Sequence, residues 1–128
     1  MKIHDYDTAW DVTKPADIEL ALNRRHGTGR NAFWLSHGSK EFPAINIMVN
    51  GELAYVHYFP KERHPGFASV GTVPGLRPGE ETVFFLNSSI EPLEIMNEAV
   101  VRFSDALNAA QEFAISIAMP NCIHWSEL

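Results

Sequence analysis

An α+β fold follows from three observations: an antiparallel sheet with one helix from each end of the chain on a single face. Amphipathic stretches flank the chain near residues 15–26 and 104–119. Between them lie six short runs rich in Val, Ile, Phe, Tyr and Trp, the composition of strands. Two of these runs are joined by Asn50-Gly51, the strongest short hairpin signal, because a type I′ turn needs positive φ at both central residues. At 128 residues the chain matches one domain, residues 1–128.

In order, Thr13 reads as an N-cap and Pro15 as a first-turn residue of a helix that ends near His26, before Gly27. Ile18, Ala21 and Leu22 give it an apolar stripe. Ala32 to His37 is a strand. Ala44 to Val49 and Leu53 to Phe59 form the hairpin, with Ile45, Ile47 and Val49 on one face and Asn46 and Met48 on the other. Pro60 to Gly66 is a basic loop, and Phe67 to Thr72 a strand. Val73 to Glu81, with Pro74, Gly75, Pro78 and Gly79, is an exposed loop. Thr82 to Asn87 is a strand, Ser88 to Glu94 is irregular around Pro92, and Glu98 to Phe103 is the last full strand. Ser104 caps a helix running to Met119-Pro120, with a stripe of Leu107, Ala110, Phe113, Ala114 and Ile117. A short extended tail with Trp125 closes the chain.

Composition narrows the function. With 45% hydrophobic and 11% aromatic residues, the chain can bury a core without staples. The single Cys122 excludes an internal disulfide and fits a reducing compartment. A polar N-terminus without a signal-like apolar region, and no bilayer-length apolar run, predict a cytoplasmic protein that does not engage membranes. The formal charge of −6 is uneven: net −3 over residues 1–22, +4 over 23–77 and −7 over 78–128. This argues against direct nucleic-acid binding, which needs clustered Lys and Arg. An acidic C-terminal half complements a basic protein; the plainer reading is a solubilising surface.

Catalytic constellations are hard to find. The histidines His4, His26, His37, His57, His64 and His124 show no i, i+4 metal pair, and one cysteine cannot build a thiolate-rich zinc site, so no metal or cofactor is expected. Cys122 and His124 share a face of an extended segment at roughly 7 Å, too far for a thiolate–imidazole pair, so Cys122 reads as a buried structural residue. No Gly-x-Ser-x-Gly elbow occurs, and Glu80-Glu81 is a loop pair without a cleft to separate its pKa values. Phe33, Trp34, Tyr55, Tyr58, Phe59, Phe84 and Phe85 line either a core or a binding surface.

The segments Pro43–Gly51, Ala54–Pro60 and His64-Pro65-Gly66-Phe67 resemble the central part of a family of bacterial immunity proteins. Ala109–Phe113, Met119-Pro120 and Ile123–Leu128 resemble that family's ending. Its members neutralise polymorphic toxins and include immunity proteins to double-stranded-DNA cytosine deaminase toxins. The likeness spans about Ala32 to Leu128. It implies an α+β fold, no enzymatic activity, and tight binding that occludes the active site of a cognate toxin domain. Independently of the resemblance, edge strands are open to a partner, a homodimer with a second copy of the chain included. Among the motif residues, Tyr58, Pro65, Gly66, Phe67 and Trp125 read as structural. Toxin contacts are expected on loops and the acidic edge: Arg63, His64, Glu80, Glu81, Glu91 and Glu94. Two other classes stay open: a small-molecule-binding module built on the aromatic strands, and a small hydrolase using His57 and His64.

Overall fold

The computed structural model describes residues 1–128. Its centre is a meander of β3 (Arg30–Ser36), β4 (Ala44–Asn50) and β5 (Leu53–Phe59), all antiparallel. The first twelve residues, unassigned from sequence, form a hairpin of β1 (Lys2–His4) and β2 (Ala9–Asp11) that extends the sheet beyond β3. On the other side, β5 is shared. Its Leu53–Tyr55 half pairs with β9 (Val100–Arg102), while His57 and Tyr58 pair with β6 (Phe67–Val70). The tail strand β10 (His124–Glu127) then adds to β6. Ser69 sits where β6 and β9 part: its hydroxyl accepts from Val56 N–H at 3.1 Å and donates to Ala99 O at 2.7 Å.

Two helices cover one face. α1 (Pro15–Leu22) is shorter than its stripe implied, and Thr13 does not cap it; Lys14 occupies that position without a side-chain bond. Its end is set by polar side chains: Asn23 Nδ2 donates to Glu19 O at 2.8 Å and Arg25 donates to Leu22 O. α2 (Phe103–Ser116) begins one residue before Ser104, so Ser104 is not the cap. It stops at Ile117, held at φ 55°, rather than at Met119. Its buried stripe is Phe103, Ala106, Ala109, Ala110 and Phe113, with Leu107 and Ala114 only partly buried and Ile117 exposed. The alanines let α2 lie close to Ile45, Ile47, Val49 and Val56 in one twenty-residue core.

Alternation sends the neighbours of those core residues to the opposite face. There Ala32, Met48, Tyr55, Ala68 and Val100 surround Phe84 in a second, six-residue cluster. Phe84 comes from a separate two-stranded ribbon, β7 (Glu81–Phe85) with β8 (Pro92–Met96). The segment around Pro92 is therefore a strand rather than irregular, and the proline stands at the strand's first position, where a missing N–H is tolerated. Residues 97–99 form a 3-10 turn instead of continuing the last strand backwards. The chain is thus layered as helices, sheet and ribbon. No helix is long and apolar enough to cross a membrane.

Candidate interaction surface

The ribbon owes its position to one plug and several polar pins. Phe84 is fully buried. Tyr6 Oη donates to Phe85 O, Asn50 Nδ2 to Val83 O at 2.9 Å, and Arg30 to Ser89 O at 2.9 Å. The Arg30 guanidinium also lies 3.8 Å from the Phe85 ring centre, though its Nε is buried without a partner. At the open end, Thr82 Oγ1 donates to Asn97 Oδ1 at 2.6 Å, and Asn97 Nδ2 donates to Arg77 O at 2.8 Å. Burial raises the Tyr6 hydroxyl to about 12, so it remains a donor.

Directly opposed residues on the ribbon share a face. The inward pairs are Thr82 with Ile95 and Phe84 with Leu93. The outward pairs are Glu81 with Met96 and Val83 with Glu94, and all four of these side chains are exposed. Glu81 and Glu94 are diagonal neighbours on this outward face. The adjacent Glu94 carboxyl, through hydrogen bonding and charge, pushes the Glu81 carboxyl above its ordinary value. Glu91 is exposed at the far end of the ribbon. Glu80 stands just before β7, with Arg77 at 4.0 Å. Glu98, not singled out from sequence, accepts from Gly79 N–H. Four of the six expected contact residues are therefore gathered on one element.

The other two, Arg63 and His64, sit on a different loop, between β5 and β6. Arg63 is exposed at φ 65°. His64 stacks on Phe67 at 5.6 Å, and its Nδ1 accepts from Gly66 N–H at 2.8 Å. His57 Nε2–H donates to Pro65 O at 2.8 Å. Gly66 has φ 90°, and a Cβ there would stand 2.5 Å from Tyr58 O and 2.6 Å from His57 Nε2. The two histidines thus serve the same tight turn, each engaged with its main chain, and burial lowers the His57 pKa. Neither histidine lines the grooves beside Trp34, beside Trp10 or around Gly71. Tyr58 lies between Phe67, Phe113 and Trp125 in the core, and Trp125 Nε1 donates to Pro120 O at 2.7 Å.

The aromatic residues divide between layers. Phe33 and Tyr58 enter the helix-side core; Tyr55 and Phe84 enter the ribbon-side cluster. Trp34, Phe59 and His57 remain as a half-buried stack on the ribbon side of the sheet, with ring centres 5.6 and 3.9 Å apart. The groove beside Trp34 has a volume of about 240 Å³, below the range of drug-sized sites. Cys122 is exposed, contrary to the expectation of burial, because it precedes β10 rather than lying within it.

Asp5, Asp7 and His26 also converge. Arg24 lies 3.8 Å from Asp5 and 3.2 Å from Asp7, so both carboxylates already face a cation. Burial alone would raise the Asp5 carboxyl. Hydrogen bonds from Asn31, Asp7 N–H, His26 and Thr8 N–H prevail and hold it at about 2. The cluster is an internal latch between the N-terminal hairpin, β3 and the segment after α1.

Residues 6–127 match the family model of the immunity protein Imm1. The chain belongs to that family. Over all 128 residues, and the whole of the relative, it is 25% identical to a double-stranded DNA deaminase immunity protein of Burkholderia cenocepacia (strain H111).

Proposed function

We propose that this chain is a cytoplasmic immunity protein that binds and neutralises a cognate toxin domain acting on nucleic acid, a deaminase, by covering its active site or substrate surface. The reading rests on the full-length likeness to an immunity protein named for a DNA deaminase. The chain acts by binding alone, without catalysis or a cofactor. His57 and His64, the pair a hydrolase would need, are both spent on holding a turn.

A toxin that handles phosphate backbones carries basic surface. Glu80, Glu81, Glu91 and Glu94 on the ribbon are its counterpart, and opposite charge accelerates encounter. Arg63 and His64, on the loop between β5 and β6, are further proposed contacts. Tyr58, Pro65, Gly66, Phe67 and Trp125 support the scaffold.

A survival assay tests the reading. The C-terminal domain encoded by the adjacent upstream gene is expressed in a naive bacterium with and without this chain. Killing by the domain alone, growth in the presence of the chain, and C-to-T changes accumulating only without it are the expected results. Equal killing in the presence of well-expressed chain overturns the pairing.

A further inference from the structure

We propose that the outward face of the β7–β8 ribbon docks a basic surface of the toxin, with an arginine received between Glu81 and Glu94 and its aliphatic stem seated on Val83 and Met96. This rests on the immunity reading and names the chemistry of the contact.

Apolar exposure comes first. Nine large hydrophobic side chains are exposed in the chain, and Val83, Ile90, Leu93 and Met96 are four of them. They fall within fourteen residues of the 128, so exposed apolar surface is concentrated on this one element. Phe84 and Ile95 already face the sheet, which leaves Val83 and Met96 on the outward face, 38% and 46% exposed.

Charge then selects the occupant. Between Pro78 and Val101 there are five glutamates and no Lys or Arg. Glu81, Glu91 and Glu94 have no basic partner within the chain, in contrast to Asp5, Asp7 and Glu80. The register sets Glu81 and Glu94 as diagonal neighbours on the outward face, so at neutral pH the free protein keeps two like charges side by side, and the Glu81 carboxyl is raised by its neighbour. A planar guanidinium has donors enough to bridge two adjacent carboxylates, which an ammonium does less well. Flanking Val83 and Met96 exclude water once the partner is seated, and charge pairs shielded in this way carry more of the affinity than rim pairs.

The test measures binding of the purified domain encoded by the adjacent upstream gene to wild-type chain, to Glu81→Gln/Glu94→Gln, and to Glu19→Gln/Glu41→Gln as a charge-matched control. Titrations are run at low and high salt. The ribbon variant is expected to bind about tenfold or more weakly at low salt, with a shallower salt dependence, and the control to match wild type. Glu81→Lys, which supplies Glu94 with a cation from its own chain, should weaken binding further. Thermal melts confirm folding of each variant. Wild-type binding with an undiminished ribbon variant overturns the docking face and leaves the immunity reading intact. Wild-type chain that does not bind a demonstrably toxic domain overturns the immunity reading, and the docking face with it.

Discussion

The helix face of the sheet is closed by twenty mutually packed residues, whereas the ribbon face is closed by a six-residue cluster around one phenylalanine, together with hydrogen bonds to three ribbon carbonyls. Apolar packing among many residues is cooperative and hard to open locally. A two-stranded ribbon is marginal on its own and depends on what it packs against. The comparison teaches a division of labour: the helix side supplies global stability, and the ribbon side supplies a surface held in place by few contacts.

The largest effect should come from breaking the stronger side. Phe113→Ala removes a fully buried ring from the helix-side core and is expected to destabilise the chain by about 3–5 kcal/mol. In chemical denaturation all probes should lose structure together. Phe84→Ala should lose about 3 kcal/mol, at the low end because the ribbon can relax away. Hydrogen exchange then separates the two faces: ribbon amides should lose protection while those of β3, β4 and α2 keep it. Equal loss of protection in all elements would show that the faces are not distinct.

Two neighbouring residues let pH address the faces separately. Asp5 belongs to the latch with Arg24, His26 and Asn31, and its carboxyl is depressed from 3.8 to about 2. A depressed folded pKa means that its contribution, about 2 kcal/mol, is present above pH 4 and lost as pH falls towards 2. Tyr6 points to the ribbon, and its hydroxyl is raised from 10 to about 12. Its contribution is present below pH 10 and lost as pH rises towards 12. Acid unfolding of Asp5→Asn should therefore lack part of the wild-type transition, and Tyr6→Phe should flatten the alkaline one.

This division was only partly legible in the sequence. Period-two alternation in Ile45, Ile47 and Val49 identified the helix-side core residues of β4. Asn50-Gly51 identified the hairpin. Its turn, however, is centred on Gly51 and Glu52, with Asn50 opposite Leu53 and positive φ only at Gly51. The Asn50 side chain is instead committed to Val83, thirty-three residues away, and no local rule anticipates that. Strand β8 was hidden by Pro92, a residue that usually marks irregular chain. Without β8, Glu81 and Glu94 were only two acids of an acidic half. Their proximity, and the exposure of Val83 and Met96 beside them, arise from cross-strand register.

Single pins make a smaller change. Asn50→Ala leaves the Val83 carbonyl without its donor and is expected to destabilise by about 1 kcal/mol, read as faster exchange confined to the ribbon. Glu81→Gln should have the least effect on stability and the opposite sign. In the wild-type chain the Glu81 pKa is raised, so the folded state holds its proton more firmly than the unfolded state does. Above that pKa the like-charge contact with Glu94 works against folding, and below it the contact is relieved. Glu81→Gln should therefore melt slightly higher than wild type at pH 7, and the difference should vanish in acid. Together with weaker toxin binding by the double variant, a small gain in stability would mark Glu81 as a residue that the fold does not need, because its role lies in contact with a partner.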